Sequence, residues 1–255
     1  MQYGLLGEKL GHSYSKEIHE LFGFYPYELR EIPRDELDAF MEAKDFKGVN
    51  VTIPYKEMVI PHLDYISEQA KAIGAVNTVV NKDGRLFGYN TDFSGLKKLI
   101  GYTGHELKGA KVLILGTGGT SKTARAVCAS LGAAQIIVVS RSGRDGAVTY
   151  EQAAAEHADA DFIVNTTPAG MYPKIDATPI DLTHYRSLKG VVDVVYNPME
   201  TRLMREARAL GIRADGGLRM LVYQAVAAVE YFVGETVPAD RAEEIFGIIR
   251  DRHMN

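Results

Sequence analysis

The sequence predicts an α/β protein with two domains, and three observations support this fold class. Short apolar segments alternate with helical patterns through the second half of the chain, which is typical of a parallel sheet flanked by helices. A length of 255 residues suits one large domain or two of ordinary size. A polar stretch over residues 102–108, which contains Gly104, separates the two halves.

In the first half, apolar and alternating patterns predict strands at residues 2–6, 25–32, 48–53, 75–80 and 86–89. Asp83-Gly84 precedes the last of these strands and is typical of a two-residue hairpin turn. We also expect a short helix that ends at Phe22, a helix from Pro33 to about Ala43, short helical pieces between residues 54 and 75, and a helix from Asp92 to Gly101.

In the second half, the same patterns predict strands at residues 111–115, 135–139, 161–165, 190–195 and 212–214, and helices at 119–131 and 201–210. Residues 219–233 are apolar nearly all round, which indicates a helix buried between layers or domains. A last helix is predicted over residues 239–250. We expect these two C-terminal helices to return to the first domain.

Composition excludes several classes of protein. The chain is 46% apolar and 24% charged with a net charge of −4, and it has no basic run, so we expect no nucleic-acid partner. Its single cysteine, Cys128, lies on the apolar face of a predicted helix, which indicates a core position and a reducing compartment. No leader and no long apolar segment are present, so we expect a cytoplasmic protein without a membrane partner.

A glycine-rich turn stands at the start of the second half. Gly116-Thr-Gly-Gly-Thr-Ser121 follows a predicted strand and precedes a helical pattern. Strand, glycine turn and helix are the context of a dinucleotide-binding fingerprint, in which a pyrophosphate lies at the helix N-terminus. The usual last glycine is absent, so Ser121 or Ala124 has to allow close packing of the helix on the strand. The pattern predicts a Rossmann-type domain, although such turns also occur without a ligand.

The segment after the second strand of this domain indicates the cofactor. NAD-binding domains usually have an acid there that accepts from the ribose 2′-hydroxyl. This chain has Ser140-Arg-Ser-Gly-Arg144 instead, and Arg141 and Arg144 can pair with a 2′-phosphate. A solvated loop is the alternative, but together with the glycine turn the segment predicts NADP.

A lysine and an acid follow two strands of the first half. Lys56 ends the segment Asn50-Val-Thr-Ile-Pro-Tyr-Lys56, and Asp92 follows Tyr89-Asn-Thr. Ligands of open α/β sheets lie at the carboxyl ends of strands, so a Lys–Asp pair there could transfer a proton to or from a substrate oxygen. Each residue alone is typical of something simpler, a surface lysine and a helix N-cap, and their spacing does not show that they meet.

Small polar residues also cluster in loops and at strand ends, namely Ser13, Ser15, Thr52, Asn77 and Thr91. Together they suit a polyhydroxylated, carboxylated ligand, whereas each alone is typical of a cap or a turn. None of the seven histidines has ligand spacing with another metal-binding residue, so we expect no metal.

Several motifs occur in the order found in one enzyme family. They are His12-Ser-Tyr-Ser15, Asn50-Val-Thr-Ile-Pro-Tyr-Lys56, Gly74-Ala-Val-Asn-Thr78, Asn90-Thr-Asp92, Gly116-Thr-Gly-Gly-Thr-Ser121, Asn165-Thr-Thr-Pro-Ala-Gly-Met171, Asp193-Val-Val-Tyr-Asn-Pro198 and Met220-Leu-Val-Tyr-Gln224. In this ordered set, over nearly its whole length, the chain resembles the shikimate dehydrogenase family.

The resemblance implies reversible, NADP-linked reduction of 3-dehydroshikimate to shikimate, a step of aromatic amino-acid biosynthesis. It implies a substrate-binding and catalytic domain of residues 1–101 plus 219–255, a dinucleotide-binding domain of residues 102–218, and an active site in the cleft between them. The only partners implied are small molecules, and we expect a monomer or a homodimer.

The resemblance also implies a role for each site residue. Lys56 and Asp92 would be the catalytic pair. The substrate would be held at its carboxylate by Ser13, Ser15 and Tyr196, and at its hydroxyls by Thr52, Asn77, Asp92 and Gln224. The cofactor would be held by Gly116, Gly118, Gly119, Thr120 and Ser121 at the pyrophosphate, by Ser140, Arg141 and Arg144 at the 2′-phosphate, and by Thr166 and Met220, the latter near the nicotinamide.

The chain departs from the family pattern at a few positions. Lys16 stands where proline usually follows the second serine, which would loosen the helix start. Ser140 replaces a common asparagine, and Arg144 is one place earlier than the usual second basic residue, so its role is less secure than that of Arg141. Arg219 replaces a usual glycine, and we expect it to reshape the edge near the nicotinamide.

Three other functions compete with this interpretation. The nearest is a quinate/shikimate dehydrogenase with broader substrate and cofactor use. A second is another two-domain enzyme such as a methylenetetrahydrofolate dehydrogenase, although its large pterin substrate fits poorly with the small polar residues around Ser13 and Ser15. The third is a catalytically silent NADP-binding regulator on the same fold, which the presence of Lys56 and Asp92 opposes.

Overall fold

The computed structural model describes residues 1–11 and 13–253 and divides into two compact units. The first unit contains Met1–Ser94 and Val222–Asp251, and the second contains Gly95–Leu221. The chain passes from one unit to the other within two helices, α4 (Thr91–Tyr102) and α8 (Gly217–Val233). Each unit has its own sheet, and the α/β fold class predicted from the sequence is confirmed.

The first unit is built on a six-stranded mixed sheet. Its strands are β1 (Tyr3–Gly7), β2 (Glu28–Glu31), β3 (Gly48–Val51), β4 (Tyr65–Ile66), β5 (Thr78–Lys82) and β6 (Arg85–Tyr89), in the order β2-β1-β3-β5-β6-β4. Strand β1 pairs in parallel with both β2 and β3, whereas β5 is antiparallel to β3 and β6. The loops after β1 and β3 therefore leave the same edge of the sheet, and these loops carry Ser13 and Thr52.

Helices cover this sheet and bury its apolar side chains. They are α1 (Ser15–Phe22), α2 (Leu37–Ala43), α3 (Glu68–Ile73), α9 (Ala239–His253) and the later part of α8. All four residues of β3 are buried, and Val49 and Val51 pack with Leu37 and Met41 of α2. Fully burying a side chain of this size contributes about 1.5–3 kcal/mol, so this core accounts for much of the unit's stability.

The second unit has a five-stranded, fully parallel sheet. Its strands are β7 (Lys111–Leu115), β8 (Gln135–Val139), β9 (Phe162–Asn165), β10 (Gly190–Asp193) and β11 (Arg213–Gly216), in the order β11-β10-β9-β7-β8. The helices α5 (Gly119–Ser130), α6 (Tyr150–Glu156) and α7 (Arg202–Ala209) follow β7, β8 and β10. Strand order reverses at β7, so the crevice at the carboxyl ends of β7 and β9 is the position where ligands of such sheets bind.

Several predicted boundaries are wrong. The strand predicted over residues 25–32 is only Glu28–Glu31, because its pairing with β1 begins at Glu28, opposite Gly4, and the preceding Tyr25 and Tyr27 are buried without a strand partner among the described residues. The strand predicted over 190–195 ends at Asp193, whose carboxylate accepts a hydrogen bond from the Val195 N–H and turns the chain. The strand predicted over 75–80 begins only at Thr78.

Two elements are absent from the sequence-based prediction. The edge strand β4 has only two residues, too few for a recognisable alternation. Helix α6 is signalled by Thr149 and Gln152, which form a capping box, a pattern that the periodicity alone does not use. Conversely, the hairpin predicted at Asp83-Gly84 is confirmed, with both residues at positive φ between β5 and β6.

Within the described residues, no helix combines the length and the apolar character needed to span a membrane.

Candidate active site

Lys56 and Asp92 meet in the first unit. Lys56 Nζ donates to Asp92 Oδ2 at 2.6 Å, and the two side chains are 25% and 15% exposed. This is a charge-assisted hydrogen bond that remains in contact with solvent, so a ligand can reach both groups. The simpler interpretation of Asp92 as a helix N-cap is wrong, because Asn90 caps α4 by accepting from the Phe93 N–H at 3.2 Å. The carboxylate of Asp92 is therefore available to Lys56.

The segment before Lys56 is anchored on both sides. The Tyr55 ring is fully buried, and its hydroxyl donates to the Ile32 carbonyl at 2.5 Å. The Val76 N–H donates to the Lys56 carbonyl at 2.8 Å. These contacts hold the backbone of Lys56 against the core.

Asn77 and Thr91 form a buried pair beside Asp92. The Oδ1 atom of Asn77 accepts from the Thr91 N–H at 2.7 Å and lies 3.2 Å from the Thr91 hydroxyl. That hydroxyl also lies 3.5 Å from Oε1 of Gln224, which α8 brings into the first unit. Three residues that are far apart in the sequence are therefore joined at the start of α4.

Ser13 and Ser15 lie at the N-terminus of α1. The Ser13 hydroxyl accepts from the Ser15 N–H at 3.2 Å, so the two predicted ligands are joined just before and at the first residue of the helix, whose N-cap is Tyr14. Lys16 does not prevent this helix start, and it forms an exposed ion pair with Glu20 at 3.7 Å. Thr52 follows β3 and donates its N–H to the Leu6 carbonyl at 2.9 Å. His12, which opens the same motif, lies outside the described residues.

The glycine turn of the second unit fits a dinucleotide. Gly116 has φ 103°, and a Cβ there would lie 3.0 Å from Thr166 Oγ1 and 3.1 Å from Thr167, so the turn needs glycine. A Cβ at Gly118 or Gly119 would meet nothing within 4 Å, which leaves open space over the N-terminus of α5. Free backbone N–H groups and the helix dipole make this space suitable for a pyrophosphate.

Ser121 and Thr166 complete the crevice between β7 and β9. Ser121 is buried in the first turn of α5, as expected for a residue that allows close packing of helix on strand. Thr166 donates its hydroxyl to the Leu115 carbonyl at 2.6 Å, and this bond joins the ends of the two strands. Thr120 is half-buried beside them.

The loop after β8 exposes both of its arginines. Ser140 is buried, and its hydroxyl accepts from the Gly143 N–H at 3.1 Å, which closes the loop. Arg141 and Arg144 are exposed. Burial raises the pKa of Tyr150, and the positive charge of Arg141 partly opposes this shift.

Tyr196 and Met220 lie in the second unit. Tyr196 is half-buried in the segment after β10, and Met220 is buried near the start of α8. Arg219, next to Met220, stacks on the Tyr102 ring, with its guanidinium carbon 3.6 Å from the ring centroid, and lies 3.7 Å from Asp215 Oδ2. The guanidinium is therefore held by neighbours of its own unit.

A buried carboxylate, Asp193, was not among the predicted site residues. It accepts from Asn165 Nδ2 at 2.9 Å, from Thr201 Oγ1 at 2.7 Å and from the Val195 N–H at 3.1 Å. Burial raises the pKa of Asp193 to about 6, although these three donors oppose the shift. A charged residue at the end of a fully apolar strand is the sequence pattern that reveals it.

The lone cysteine has no role in this chemistry. Cys128 is fully buried in α5, and burial raises the pKa of its thiol to about 12, which keeps it protonated and unreactive. Among residues 1–11 and 13–253, no group of three or more His, Cys, Asp and Glu side chains is arranged to hold a metal ion.

Sequence comparison identifies the family. The model described as the shikimate dehydrogenase substrate binding domain matches residues 5–79, and the model described as the shikimate 5′-dehydrogenase C-terminal domain matches residues 217–245. A shikimate dehydrogenase (NADP(+)) of Halothermothrix orenii is 41% identical in an alignment of 260 positions, gaps included, that covers 91% of this chain and 90% of that protein.

Solved structures agree with this result. Shikimate 5-dehydrogenase of Thermus thermophilus, in complex with NADP(H) and shikimate, is 31% identical with a TM-score of 0.85, over 97% of this chain and 99% of that chain. Quinate dehydrogenase of Corynebacterium glutamicum, in complex with NAD, is 32% identical with a TM-score of 0.85, over the same shares of the two chains. Since likeness in sequence and in structure extends over nearly the whole length, the chain belongs to the shikimate dehydrogenase family.

Proposed function

We propose that this protein catalyses the reversible, NADP-linked reduction of 3-dehydroshikimate to shikimate. The observation that carries the proposal is the contact between Lys56 and Asp92, at the ends of two strands and beside the buried pair Asn77 and Thr91. Family membership supports it, since the relatives with this architecture include NADP(+)-dependent shikimate dehydrogenases. Two domains, one for the substrate and one for NADP, are part of the same proposal.

When bound, NADPH would supply the hydride in the reductive direction, and Lys56 and Asp92 handle the proton. In the reductive direction the substrate oxygen gains negative charge as its carbon is reduced. The Lys56 ammonium stabilises that charge and donates a proton to the oxygen. In the oxidative direction the same nitrogen, as a neutral amine, accepts the proton. Asp92, bonded to Nζ at 2.6 Å, orients the lysine side chain in both directions.

The substrate ligands follow from their hydrogen-bonding groups. Ser13 and Ser15 at the N-terminus of α1 donate to the carboxylate, which the helix dipole also favours, and Tyr196 assists them. Thr52, Asn77, Asp92 and Gln224 bind the hydroxyls. A polyhydroxylated acid of one ring uses all of these groups, whereas an apolar or much larger substrate would leave several of them without partners.

The cofactor ligands lie in the second unit. The N–H groups of the glycine turn from Gly116 to Ser121 bind the pyrophosphate at the N-terminus of α5, and Thr166 shapes the crevice. Ser140, Arg141 and Arg144 bind the 2′-phosphate, since exposed guanidinium groups suit an exposed phosphate. Met220 packs near the nicotinamide. We also predict that the protein is a monomer or a homodimer and that it is located in the cytoplasm.

One alternative has a specific observation in its favour. A quinate dehydrogenase in complex with NAD is as similar in structure as the shikimate enzyme from Thermus thermophilus. This likeness makes broader substrate and cofactor use the second candidate function.

The direct experiment measures initial rates of the purified protein with shikimate or quinate, each with NADP or NAD. We expect the highest kcat/KM with shikimate and NADP. Comparable values with quinate and NAD would instead favour the broader enzyme. Absence of turnover with all four pairs, in a protein that still binds NADP, would identify a silent regulator and reject the proposal.

A further inference from the structure

We propose that Tyr27, Asn50 and Thr78 are positioning residues that hold the Asn77 side-chain amide in one orientation, with its NH₂ group available to the substrate. The inference rests on the proposed function of Asn77 as a substrate ligand. None of the three residues needs to touch the substrate. They form a buried chain of hydrogen bonds that leads from the stacked rings behind α1 to the start of α4.

The orientation of Asn50 follows from a neighbouring carbonyl. Its side-chain atom 3.3 Å from the Asn77 backbone carbonyl has to be the nitrogen, because a carbonyl can only accept. The other atom of the amide is then Oδ1, and the Tyr27 hydroxyl donates to it at 2.7 Å. Tyr27 is therefore the donor at one end of the chain.

The next hydrogen bonds, those of the Thr78 hydroxyl, run from donor to acceptor in the same direction. Asn50 Nδ2 also donates to the Thr78 hydroxyl at 3.0 Å. Since that oxygen accepts from Asn50, its own proton is free to be donated to Asn77 Oδ1 at 3.1 Å or to the Thr91 hydroxyl at 3.1 Å. In each hydrogen bond of this chain, the donor therefore lies on the side of Tyr27 and the acceptor lies on the side of Asn77 and Thr91.

The orientation of Asn77 is settled by a backbone donor. The Thr91 N–H lies 2.7 Å from the side-chain atom of Asn77, and an N–H can only donate, so that atom is Oδ1. Hydroxyls of Thr78 and Thr91 lie 3.1 and 3.2 Å from the same oxygen. With Oδ1 surrounded by donors, Asn77 can offer a ligand only its Nδ2 protons, and it therefore selects an acceptor oxygen.

Tyr27 is itself held in place by ring stacking. Its ring lies 4.0 Å from the His19 ring at an interplanar angle of 8°, and both side chains are about 1% exposed. His19 lies on α1, one turn after Ser15. The packing of α1 thereby fixes the first donor of the chain.

The test compares variants that each lose one hydroxyl from this cluster. Tyr27→Phe and Thr78→Val should raise the KM for shikimate about three- to tenfold, the value of one hydrogen bond, with KM for NADP unchanged. Thr78→Ser, which keeps the hydroxyl, should stay near the wild type. Tyr25→Phe is the matched control, because it keeps the ring and removes a buried hydroxyl that bonds to His19 Nδ1 and to no member of the hydrogen-bond chain from Tyr27 to Thr91. It should lower the Tm without changing the KM for shikimate.

A spectroscopic readout makes the test independent of turnover. The side-chain amide resonances of Asn77, assigned by their loss in Asn77→Asp, should shift in Tyr27→Phe and Thr78→Val but not in Tyr25→Phe. Unmoved Asn77 resonances, or a wild-type KM for shikimate in Thr78→Val, would overturn the inference. A wild-type protein that does not turn over shikimate would reject the proposed function instead, and the resonances would still test the orientation of the amide.

Discussion

At the scale of single residues, Lys56 is the side chain whose loss we expect to affect turnover most. Lys56→Ala should lower kcat by roughly 10²–10⁴-fold, the range for a positioned acid–base group, with a smaller effect on the KM for shikimate. Lys44→Ala is a matched control, since Lys44 of the same unit also pairs with a carboxylate and donates to a backbone carbonyl, yet belongs to no site. A folded Lys56→Ala with wild-type kcat would contradict the assignment.

Arg141 is the single residue that we expect to determine the preference for NADP over NAD, through its exposed guanidinium. Wild-type enzyme should prefer NADP over NAD by roughly 30- to 1000-fold in kcat/KM, the effect of one or two charged hydrogen bonds. Arg141→Ala should remove most of this preference and leave the NAD reaction nearly unchanged, and Arg144→Ala should remove less. High salt should weaken the preference, since both side chains are exposed.

Two results would argue against this role of Arg141. One is a wild-type enzyme that uses NAD as well as NADP at low ionic strength, which would favour the broader quinate/shikimate enzyme. The other is an equal fall in kcat/KM with NADP and with NAD in Arg141→Ala, which would mean that the residue supports the loop or stacks on adenine.

At the scale of elements, the turn from β7 into α5 depends on Gly116. Gly116→Ala forces a side chain into a conformation with φ 103° and within 3.1 Å of Thr166 and Thr167. We expect a loss of about 1–2 kcal/mol in stability from the backbone alone. We also expect a rise of about tenfold or more in the KM for NADP, because the N–H groups that face the pyrophosphate move.

Gly109→Ala separates these two effects. Gly109 has φ 76°, but a Cβ there meets nothing within 4 Å. This variant should show a similar loss of Tm with an unchanged KM for NADP. If both variants changed the KM for NADP equally, the effect would come from general destabilisation of the second unit and not from the turn.

At the scale of the whole molecule, two buried groups give its stability opposite responses to pH. Burial lowers the pKa of His19, in the first unit, to about 3. The unfolded state therefore binds a proton first, so below about pH 6.5 stability falls by up to about 1.4 kcal/mol per pH unit. Burial raises the pKa of Asp193, in the second unit, to about 6. Here the folded state binds a proton first, so this group adds stability as the pH falls from about 6 to about 4.

The Tm values of the wild type, Asp193→Asn and His19→Phe between pH 7 and pH 4 check these two opposite contributions to stability. Asp193→Asn keeps the shape of the side chain but cannot titrate, so its Tm should fall more steeply with acid than that of the wild type. His19→Phe keeps an aromatic ring against Tyr27, and its Tm should fall less steeply. An Asp193→Asn profile parallel to that of the wild type would show that the carboxylate does not take up a proton in this range.

The sequence by itself determined the properties that depend on neighbours along the chain. The strand–turn–helix context around Gly116, the arginine at position 141 and the hairpin at Asp83-Gly84 are all visible as local patterns. Turn geometry, helix capping and hydrophobic period act over a few residues, so they leave such patterns. The strand boundaries were less accurate, because the end of a strand depends on the strand beside it, as at Asp193.

Only the tertiary structure decided which of these residues meet. Lys56 and Asp92 come together because β3, β5 and β6 pair side by side, and no spacing along the chain encodes that contact. The orientation of Asn77 depends on donors from Thr78 and Thr91, and the pKa of Asp193 depends on its removal from water. Hydrogen-bond direction and desolvation are properties of the surroundings in space, and those surroundings exist only once the sheets and helices have packed.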